Sequence, residues 1–275
     1  MNNVIFPFRQ MGDFQVIALS DGNMSASLDL LSGIAKADAD MIQHLAGVTE
    51  FGDIHINGYL IKGRGRTILV DTGTAGGMFN TNLAAVGVNP DDVDAILLTH
   101  CHPDHIGGLL DAENNPVYPR AEIMLHPLEA DHWWDDKKLK IANERGQHNI
   151  KLARQVLRAY AHNIHFFNGD CIAGGIIPVW LPGHTPGHTG FRINSGEHSL
   201  LIWGDIVHYP HIQSAQPAVS ILFDSDPALA VQTRKKILGQ AAREKWLIAG
   251  MHIGQFGFAH ILRSERGYHI SYGEK

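Results

Sequence analysis

Apolar residues along this chain fall into short runs that end at glycine, proline or acidic residues, a pattern typical of β-strands separated by turns and helices. The runs predict strands over residues 14–20, 54–61, 66–70, 94–99, 121–125, 164–167, 176–181, 200–203 and 247–251. The first strand is expected to end at the turn Asp21-Gly22-Asn23, and residues 62–65 predict a hairpin. Short helices are predicted over 37–45 and 80–86, after Asn89-Pro90, and from Gly107 onward.

A longer helical pattern occupies residues 127–161, where basic residues fall on one face. Apolar side chains recur on the other face, at Ile150, Leu152, Ala153, Val156, Leu157 and Tyr160. We interpret this segment as a helical insertion within a single domain that spans residues 1–275. The adjacent Trp133 and Trp134 in it either pack in the core, line a pocket or form a contact in a homodimer, and the sequence leaves all three open.

The length and composition agree with a single compact domain. The chain has 275 residues, of which 44% are apolar and 29 are glycine, so it is long enough to bury a large core. The net charge of −6 and the absence of a Lys/Arg cluster provide no basic field, so nucleic acid is not expected as a partner.

Several features predict a soluble, cytoplasmic protein. Cys101 and Cys171 are the only cysteines, so there is no disulfide framework and a reducing compartment is the simpler inference. The stretch Met1–Arg9 lacks a basic region followed by a long apolar run, so no secretory signal is expected. No apolar run reaches membrane-spanning length, so no membrane partner is expected either.

The strongest chemical signal is the sequence His100-Cys101-His102-Pro103-Asp104-His105, which directly follows the strand predicted over 94–99. His100 and His102 are two residues apart, so on an extended backbone both point to the same side while Cys101 points away. Pro103 forces a turn that brings Asp104 and His105 toward the same space from another direction. Imidazole and carboxylate without thiolate suit an open catalytic site for zinc, iron, manganese or cobalt, and this short segment has enough ligands for two ions.

Further candidates lie at the ends of later apolar runs. Pro182-Gly183-His184 begins a glycine- and proline-rich turn that also contains His188, and two imidazoles four residues apart there can reach a shared site. Asp205 ends a buried apolar strand, and a position between two cations would explain a carboxylate in that place. His252 follows another apolar run, and Asp71 leaves the strand at 66–70 beside a glycine.

The motif H-x-H-x-D-H, together with Pro-Gly-His184, Gly-Asp205 and the late His252, resembles the metallo-β-lactamase fold superfamily over about residues 14–260. The resemblance implies an α/β (α+β) fold, a four-layer αββα sandwich with the metals at one sheet edge. It also implies that His100, His102 and His184 bind one metal, that Asp104, His105 and His252 bind the other, and that Asp205 bridges them. His188 would hydrogen-bond its turn, and Asp71 would orient a ligand histidine unless it only forms a turn.

The resemblance implies a hydrolase that uses hydroxide bound to two divalent ions, with zinc first among the four metals, to attack a lactone, ester or phosphotriester. Asp104 would also shuttle a proton. Asp205 argues against the true β-lactamases, which have cysteine or serine there, and the pattern is most similar to the acyl-homoserine lactonases and methyl parathion hydrolases. The lactonases have a tyrosine three residues after the bridging aspartate, whereas this chain has His208, a candidate hydrogen-bond donor to substrate.

Two other functions remain open at this point. One is a mononuclear iron oxidoreductase similar to the persulfide dioxygenases, and the other is a non-catalytic ligand-binding protein on the same fold. Both would need fewer of the metal-binding residues than this chain has. The family positions also suggest Met24, Phe51, Trp133, Trp134 and His208 as pocket walls. His260, eight residues after His252, is a candidate substrate contact.

Overall fold

The computed structural model describes residues 6–167 and 169–273. Residues 1–5, part of the stretch in which no secretory signal is expected, lie outside the described residues. The strands are β1 (Phe8–Met11), β2 (Phe14–Met24), β3 (Leu31–Ser32), β4 (Ile54–Gly63), β5 (Arg66–Val70), β6 (Ala95–Leu97), β7 (Glu122–Leu125), β8 (Ile164–Phe166), β9 (Ile176–Trp180), β10 (Thr189–Ser195), β11 (His198–Ile202), β12 (Ser220–Ile221), β13 (Leu247–Ala249), β14 (Phe258–Arg263) and β15 (Tyr268–Ser271).

The α-helices lie between these strands. They are α1 (Lys36–Leu45), α2 (Phe79–Ala85), α3 (Pro103–Ile106), α4 (Pro127–Trp134), α5 (Asp136–Ile141), α6 (Glu144–Ala159), α7 (Pro210–Ala215) and α8 (Pro227–Glu244). Short 3-10 helices occupy Leu28–Leu30, Pro90–Asp92 and Gly107–Leu109. Among the described residues, no helix combines the length and apolar composition that a membrane span requires.

Two sheets contain nearly all of the strands. The first has the order β1-β2-β4-β5-β6-β7-β8, antiparallel from β1 to β5 and parallel from β5 to β8. The second has the order β15-β14-β13-β11-β10-β9, in which only β11 and β13 run parallel. Strands β3 and β12 pair separately.

Alternate residues of the central strands pack on opposite faces of each sheet. In β6, Leu97 packs in the cluster between the two sheets, whereas Ile96 packs in a cluster with α2, α4 and α6. Leu201 of β11 and Ile248 of β13 pack against α8 on the outside of the second sheet. The layers are therefore helix, sheet, sheet and helix, and the predicted αββα sandwich is confirmed.

The secondary structure departs from the predictions in two places near the site. The first predicted strand does not end at Asp21, because β2 continues to Met24 with a bulge between Ser20 and Gly22 while it pairs with β4. The helix expected from Gly107 begins earlier, at Pro103, whose fixed φ suits the first helical position. The segment 127–161 is helical as predicted, and it is divided among α4, α5 and α6.

Candidate metal centre

The loop after β6 directs His100 and His102 into one space. Cys101 between them is buried in the helix-side core, which keeps the two imidazoles on the opposite side of the backbone. Their ring centroids lie 4.6 Å apart. The carboxylate of Asp71 secures the start of the loop, because it accepts from the Thr99 backbone nitrogen at 2.8 Å and from the Thr99 hydroxyl at 2.6 Å.

Helix α3 turns the chain so that Asp104 and His105 face the same space. His102 is its N-cap residue and Pro103 occupies its first turn. Glycine is required directly afterwards, since a β-carbon on Gly107 would lie 2.2 Å from the backbone nitrogen of Ala75. The glycine pair therefore lets the helix approach the loop that follows Asp71.

The parallel strands β11 and β13 place Asp205 and His252 at the same edge of the second sheet. Ile202 pairs with Ala249, and each candidate ligand follows its paired residue by three positions. Ends of adjacent parallel strands lie side by side, so the two side chains meet. The Nε2 atom of His252 lies 3.2 Å from Oδ2 of Asp205.

His184 reaches the site from the loop after β9, and His188 stabilises that loop. The Nδ1 of His188 lies 2.9 Å from the carbonyl oxygen of Leu181, and its Nε2 accepts from the backbone nitrogen of Asp205 at 2.9 Å. His188 thus hydrogen-bonds its turn as expected and also holds the backbone of Asp205. Gly204, with φ of +60°, leaves room for this ring, since a β-carbon there would lie 2.4 Å from its Nε2.

The seven predicted residues converge into two sets of side chains that share Asp205. The His100 group consists of His100, His102, His184 and Asp205. The His105 group consists of Asp104, His105, Asp205 and His252. Within each group one ligand-type atom per residue lies within 4.8 Å of all the others.

Hydrogen bonds on the outer side of the rings fix which nitrogen faces inward. The Nδ1 of His105 donates to Oδ2 of Asp71 at 2.6 Å, and the Nδ1 of His252 donates to the carbonyl oxygen of His55 at 2.8 Å. The Nδ1 of His184 lies 2.9 Å from Oδ1 of Asp224. A proton on each outer nitrogen leaves a lone pair on the inner Nε2, which is the arrangement found around metal-binding histidines.

The inward nitrogens cannot satisfy one another. His100 Nε2, His102 Nδ1 and His184 Nε2 form a triangle with edges of 2.9, 2.9 and 3.2 Å. Each hydrogen bond needs one donor and one acceptor, and three nitrogens at the corners of a triangle cannot meet this requirement along all three edges. At least one pair therefore consists of two donors or two acceptors. Buried His105 Nε2 and Asp205 Oδ1 also lack a hydrogen-bond partner among the described residues. A cation in each group would satisfy these atoms, so the donor set fits two metal ions.

The protonation preferences agree with cation binding at His100, His102 and Asp205. At His105 and His252 burial lowers the pKa, but the neighbouring carboxylates raise it more. Burial lowers the pKa of His100 and of His102 well below the ordinary value, so both rings are neutral. Burial alone would raise the pKa of Asp205, but His105, His252 and His208 hold it well below its usual range. For His184, burial lowers the pKa but Asp205 and Asp224 raise it to about 9. A proton and a metal ion compete for that inward nitrogen.

The structure also distinguishes the two hypotheses for Asp71, that it orients a ligand histidine or that it only forms a turn. Its backbone lies in the left-handed region, with φ of +56°, as expected of a turn former. Its buried carboxylate in addition contacts His105 Nδ1 and both donors of Thr99. Asp71 therefore orients a candidate ligand histidine.

His208 lies beside the shared aspartate. Its Nε2 is 3.1 Å from Oδ2 of Asp205, and its ring stacks on His252 with centroids 4.9 Å apart. Buried Gln213 accepts from the backbone nitrogen of His208 at 2.6 Å and so holds this loop. Burial lowers the pKa of His208 to about 4, so the ring is neutral near pH 7.

A cavity of about 470 Å³ opens over the two groups. Its wall consists of Met24, Thr74, His102, Pro103, Asp104, Asn143, Arg145, Gly146, His148, Asn149, Asp205, His208, Leu222 and Phe223. Of the expected wall residues, Met24 and His208 line it, but Phe51, Trp133 and Trp134 do not.

The other predicted contacts have different surroundings. Trp133 is buried in the core, where its ring packs edge-on against His102 with centroids 5.5 Å apart. Trp134 is 41% exposed and lies beneath the guanidinium groups of Arg154 and Arg158. His260 lies in β14, with its Nδ1 3.2 Å from the carbonyl oxygen of Trp246, and lines a different cavity.

Sequence reasoning identified Asp71 and His188 but missed two buried acids near the ligands, Asp224 and Glu129. Asp224 contacts His184 and also pairs with buried Arg234 at 3.6 Å. Glu129 is a fully buried carboxylate on α4. An Asp or Glu outside the strand ends has no sequence signal that separates it from an ordinary surface acid.

Comparison with known proteins finds similar metal-dependent and other hydrolases. AbOPH, described as a hydrolase in the beta lactamase superfamily, has a crystal structure that matches with a TM-score of 0.89 and 29% identity over 98% of both chains. AidC, described as a dizinc quorum-quenching lactonase in complex with a product, matches with a TM-score of 0.90 and 27% identity over 98% of both chains. A ribonuclease of Thermus thermophilus is 30% identical over 54% of this chain. The matched part covers only 34% of that ribonuclease's length.

The sequence profile described as Metallo-beta-lactamase superfamily matches residues 51–252, which is most of the chain and includes all seven residues of the two groups. The earlier resemblance is thereby confirmed at the level of the superfamily. The protein belongs to the metallo-beta-lactamase superfamily.

Proposed function

We propose that this protein is a dinuclear metallohydrolase that cleaves lactones or other uncharged esters, with zinc as the expected metal. The observation that carries the proposal is the pair of ligand groups that share Asp205 at the floor of a cavity. In this proposal His100, His102 and His184 would hold one ion, Asp104, His105 and His252 would hold the other, and Asp205 would serve both. Divalent ions bound there would lower the pKa of a water molecule toward neutrality and polarise the oxygen of a substrate carbonyl or phosphoryl group.

The chain's own residues would orient the reactants and move protons. Asp104 lines the cavity and its side chain is 18% exposed, so it can reach both a ligand position and the substrate. Burial raises its pKa, but His105 and His252 lower the pKa more, so Asp104 is ionised at neutral pH. An ionised carboxylate at that position is suited to accept a proton and return it to the leaving oxygen.

The cavity walls favour a substrate with an apolar chain. Met24, Leu222 and Phe223 provide an apolar side, and Arg145 from the start of α6 lies over the Phe223 ring at 4.4 Å. A site of this size and mixture suits a small organic molecule. The likeness to the lactonase AidC over 98% of both chains supports a lactone, and phosphotriesters are the second choice. The ribonuclease relative gives little support for nucleic acid, because the net charge is −6.

His208 has one of two alternative roles in this proposal, because its neutral imidazole carries a single N–H group. If its Nε2 proton points to Asp205, as their 3.1 Å contact favours, the ring helps to orient the shared carboxylate. A donor role toward substrate, in place of the lactonase tyrosine, stays a prediction. We expect His208→Ala to lower kcat/KM for lactones about tenfold, which corresponds to about 1.4 kcal/mol, and His208→Tyr to lower it less because Tyr retains a donor.

A substrate panel with the zinc-loaded, manganese-loaded, cobalt-loaded and iron-loaded protein tests the proposal. We expect measurable hydrolysis of uncharged lactones and aryl esters, weaker cleavage of aryl phosphotriesters, and poor activity on β-lactams and nucleic acids. If β-lactams were the best substrates, or if His208→Ala left every ester rate unchanged, this substrate assignment would be wrong. Persulfide oxidation by a form with one iron would favour the mononuclear oxidoreductase. No turnover of any substrate would favour the non-catalytic ligand-binding protein.

A further inference from the structure

Glu129 of α4 is a buried carboxylate that holds three hydrogen-bond donors. Its Oε1 accepts from the backbone nitrogen of Cys101 at 3.0 Å and from Nε1 of Trp133 at 2.6 Å. Its Oε2 accepts from the hydroxyl of Thr185 at 2.5 Å. The residue is 0% exposed, and none of the ion pairs among the described residues includes it.

These donors connect Glu129 to both loops that provide imidazoles to the His100 group. Cys101 lies between His100 and His102, and Thr185 directly follows His184. One carboxylate therefore spans the two loops, 28 residues from Cys101 and 56 residues from Thr185 along the chain.

The His184 loop rests directly on α4. A β-carbon on Gly187 would lie 2.3 Å from the backbone nitrogen of Glu129, so only glycine allows this approach. The third donor, Trp133, extends the contact to His102 through its edge-on ring packing. The Glu129 side chain thus links the two loops to each other and to α4.

A buried carboxylate without a cationic partner is costly unless other groups compensate for its lost hydration. Three hydrogen bonds supply part of that compensation. A positively charged ion in the adjacent His100 group would supply more, and the carboxylate would in turn favour that ion.

We propose that Glu129 is a positioning residue for the metal ion of the His100 group. It acts through the Cys101 and Thr185 loops and contributes nothing comparable to the His105 group, whose unshared members lie on α3 and after β13. This inference rests on the proposed dinuclear site.

Metal affinity of Glu129→Ala and Glu129→Gln, measured by competition with a chromophoric chelator, tests the proposal. Glu129→Ala is expected to lower the affinity for one of the two ions about 10- to 100-fold. Loss of a residue that positions the metal ligands has an effect of this size in other metal sites. Glu129→Gln should restore most of the affinity, because its amide oxygen can keep two donors and its NH₂ group can donate to the Thr185 hydroxyl. Asp131→Ala, an exposed acid on the same helix, is the matched control and should match the wild type.

Cobalt absorption spectra identify which ion is lost. His102→Ala and His252→Ala serve as references for a damaged His100 group and a damaged His105 group, respectively. We expect the cobalt spectrum of Glu129→Ala to resemble that of His102→Ala. Equal weakening of both ions, unchanged affinity, or a spectrum resembling that of His252→Ala would overturn the proposal.

Two further measurements keep the result interpretable. If circular dichroism shows that Glu129→Ala does not fold, Thr185→Val, which removes only the Oε2 donor, takes its place and should show the same preference for the His100 group. Wild-type protein that bound fewer than two ions would refute the proposed function, whereas two ions with an indifferent Glu129 would refute only this inference.

Discussion

Replacing Asp205 by alanine is expected to leave at most one tightly bound metal per chain and to lower kcat/KM for esters by about 100-fold or more. Five imidazoles surround its Oδ2 atom, with their Nε2 atoms at 3.1–3.7 Å, from His100, His105, His184, His208 and His252. The carboxylate is the one member common to both groups. Without it, two neighbouring cations would lose the negative charge between them, and the more weakly held ion would dissociate.

Little loss of fold is expected in this variant, because the two sheets and their flanking helices supply most of the buried apolar surface. The backbone nitrogen of residue 205 can also keep its bond to His188. Elemental analysis and ester turnover are the measurements, with Asp226→Ala, an exposed N-cap acid of α8, as a control for removing an aspartate nearby. Two retained metals and full turnover would mean that Asp205 is only a turn residue.

Metal removal is expected to abolish hydrolysis and to lower the melting temperature. An ion present at 1,000 times its Kd stabilises the folded state by about 4 kcal/mol, which corresponds to a shift of roughly 10 °C for a domain of this size. The physical reason is that buried inward atoms, including His105 Nε2 and Asp205 Oδ1, have no hydrogen-bond partner within the described residues. Differential scanning calorimetry with dialysed and zinc-reconstituted protein measures the shift.

The Asp205→Ala variant is the natural control, since it should show a smaller shift on zinc addition than the wild type. An unchanged melting temperature in the wild type after chelation would show that the cluster is satisfied without metal. Recovery of turnover with the added ion would confirm that loss of activity is reversible and not due to unfolding.

Local sequence rules were sufficient for the part of the site that is continuous in the chain. The two-residue period of an extended backbone places His100 and His102 together with Cys101 in the core, and Pro103 starts the turn of Asp104 and His105. Both features depend on adjacent residues alone. The approach of His184 and His252 to this segment depends on the order of the strands in the sheets. The family resemblance predicted that approach, whereas hydrophobic periodicity did not.

The missed features depend on contacts between distant segments. Glu129 and Asp224 are supports only because the fold brings their carboxylates to Thr185 and His184. The Asp21-Gly22-Asn23 sequence favours a turn locally, yet pairing with β4 extends the strand to Met24. Adjacent tryptophans have the same pattern whether they line a pocket or pack in a core, so only the structure could place Trp133 against His102.

The most direct test of the central claim is a metal titration of the apoprotein in which bound metal and ester turnover are measured together. The two groups that share Asp205 predict that activity rises until about two equivalents of metal are bound per chain and then stays constant. Full activity at one equivalent, or a single tightly held iron with no second ion after reconstitution, would contradict the dinuclear site.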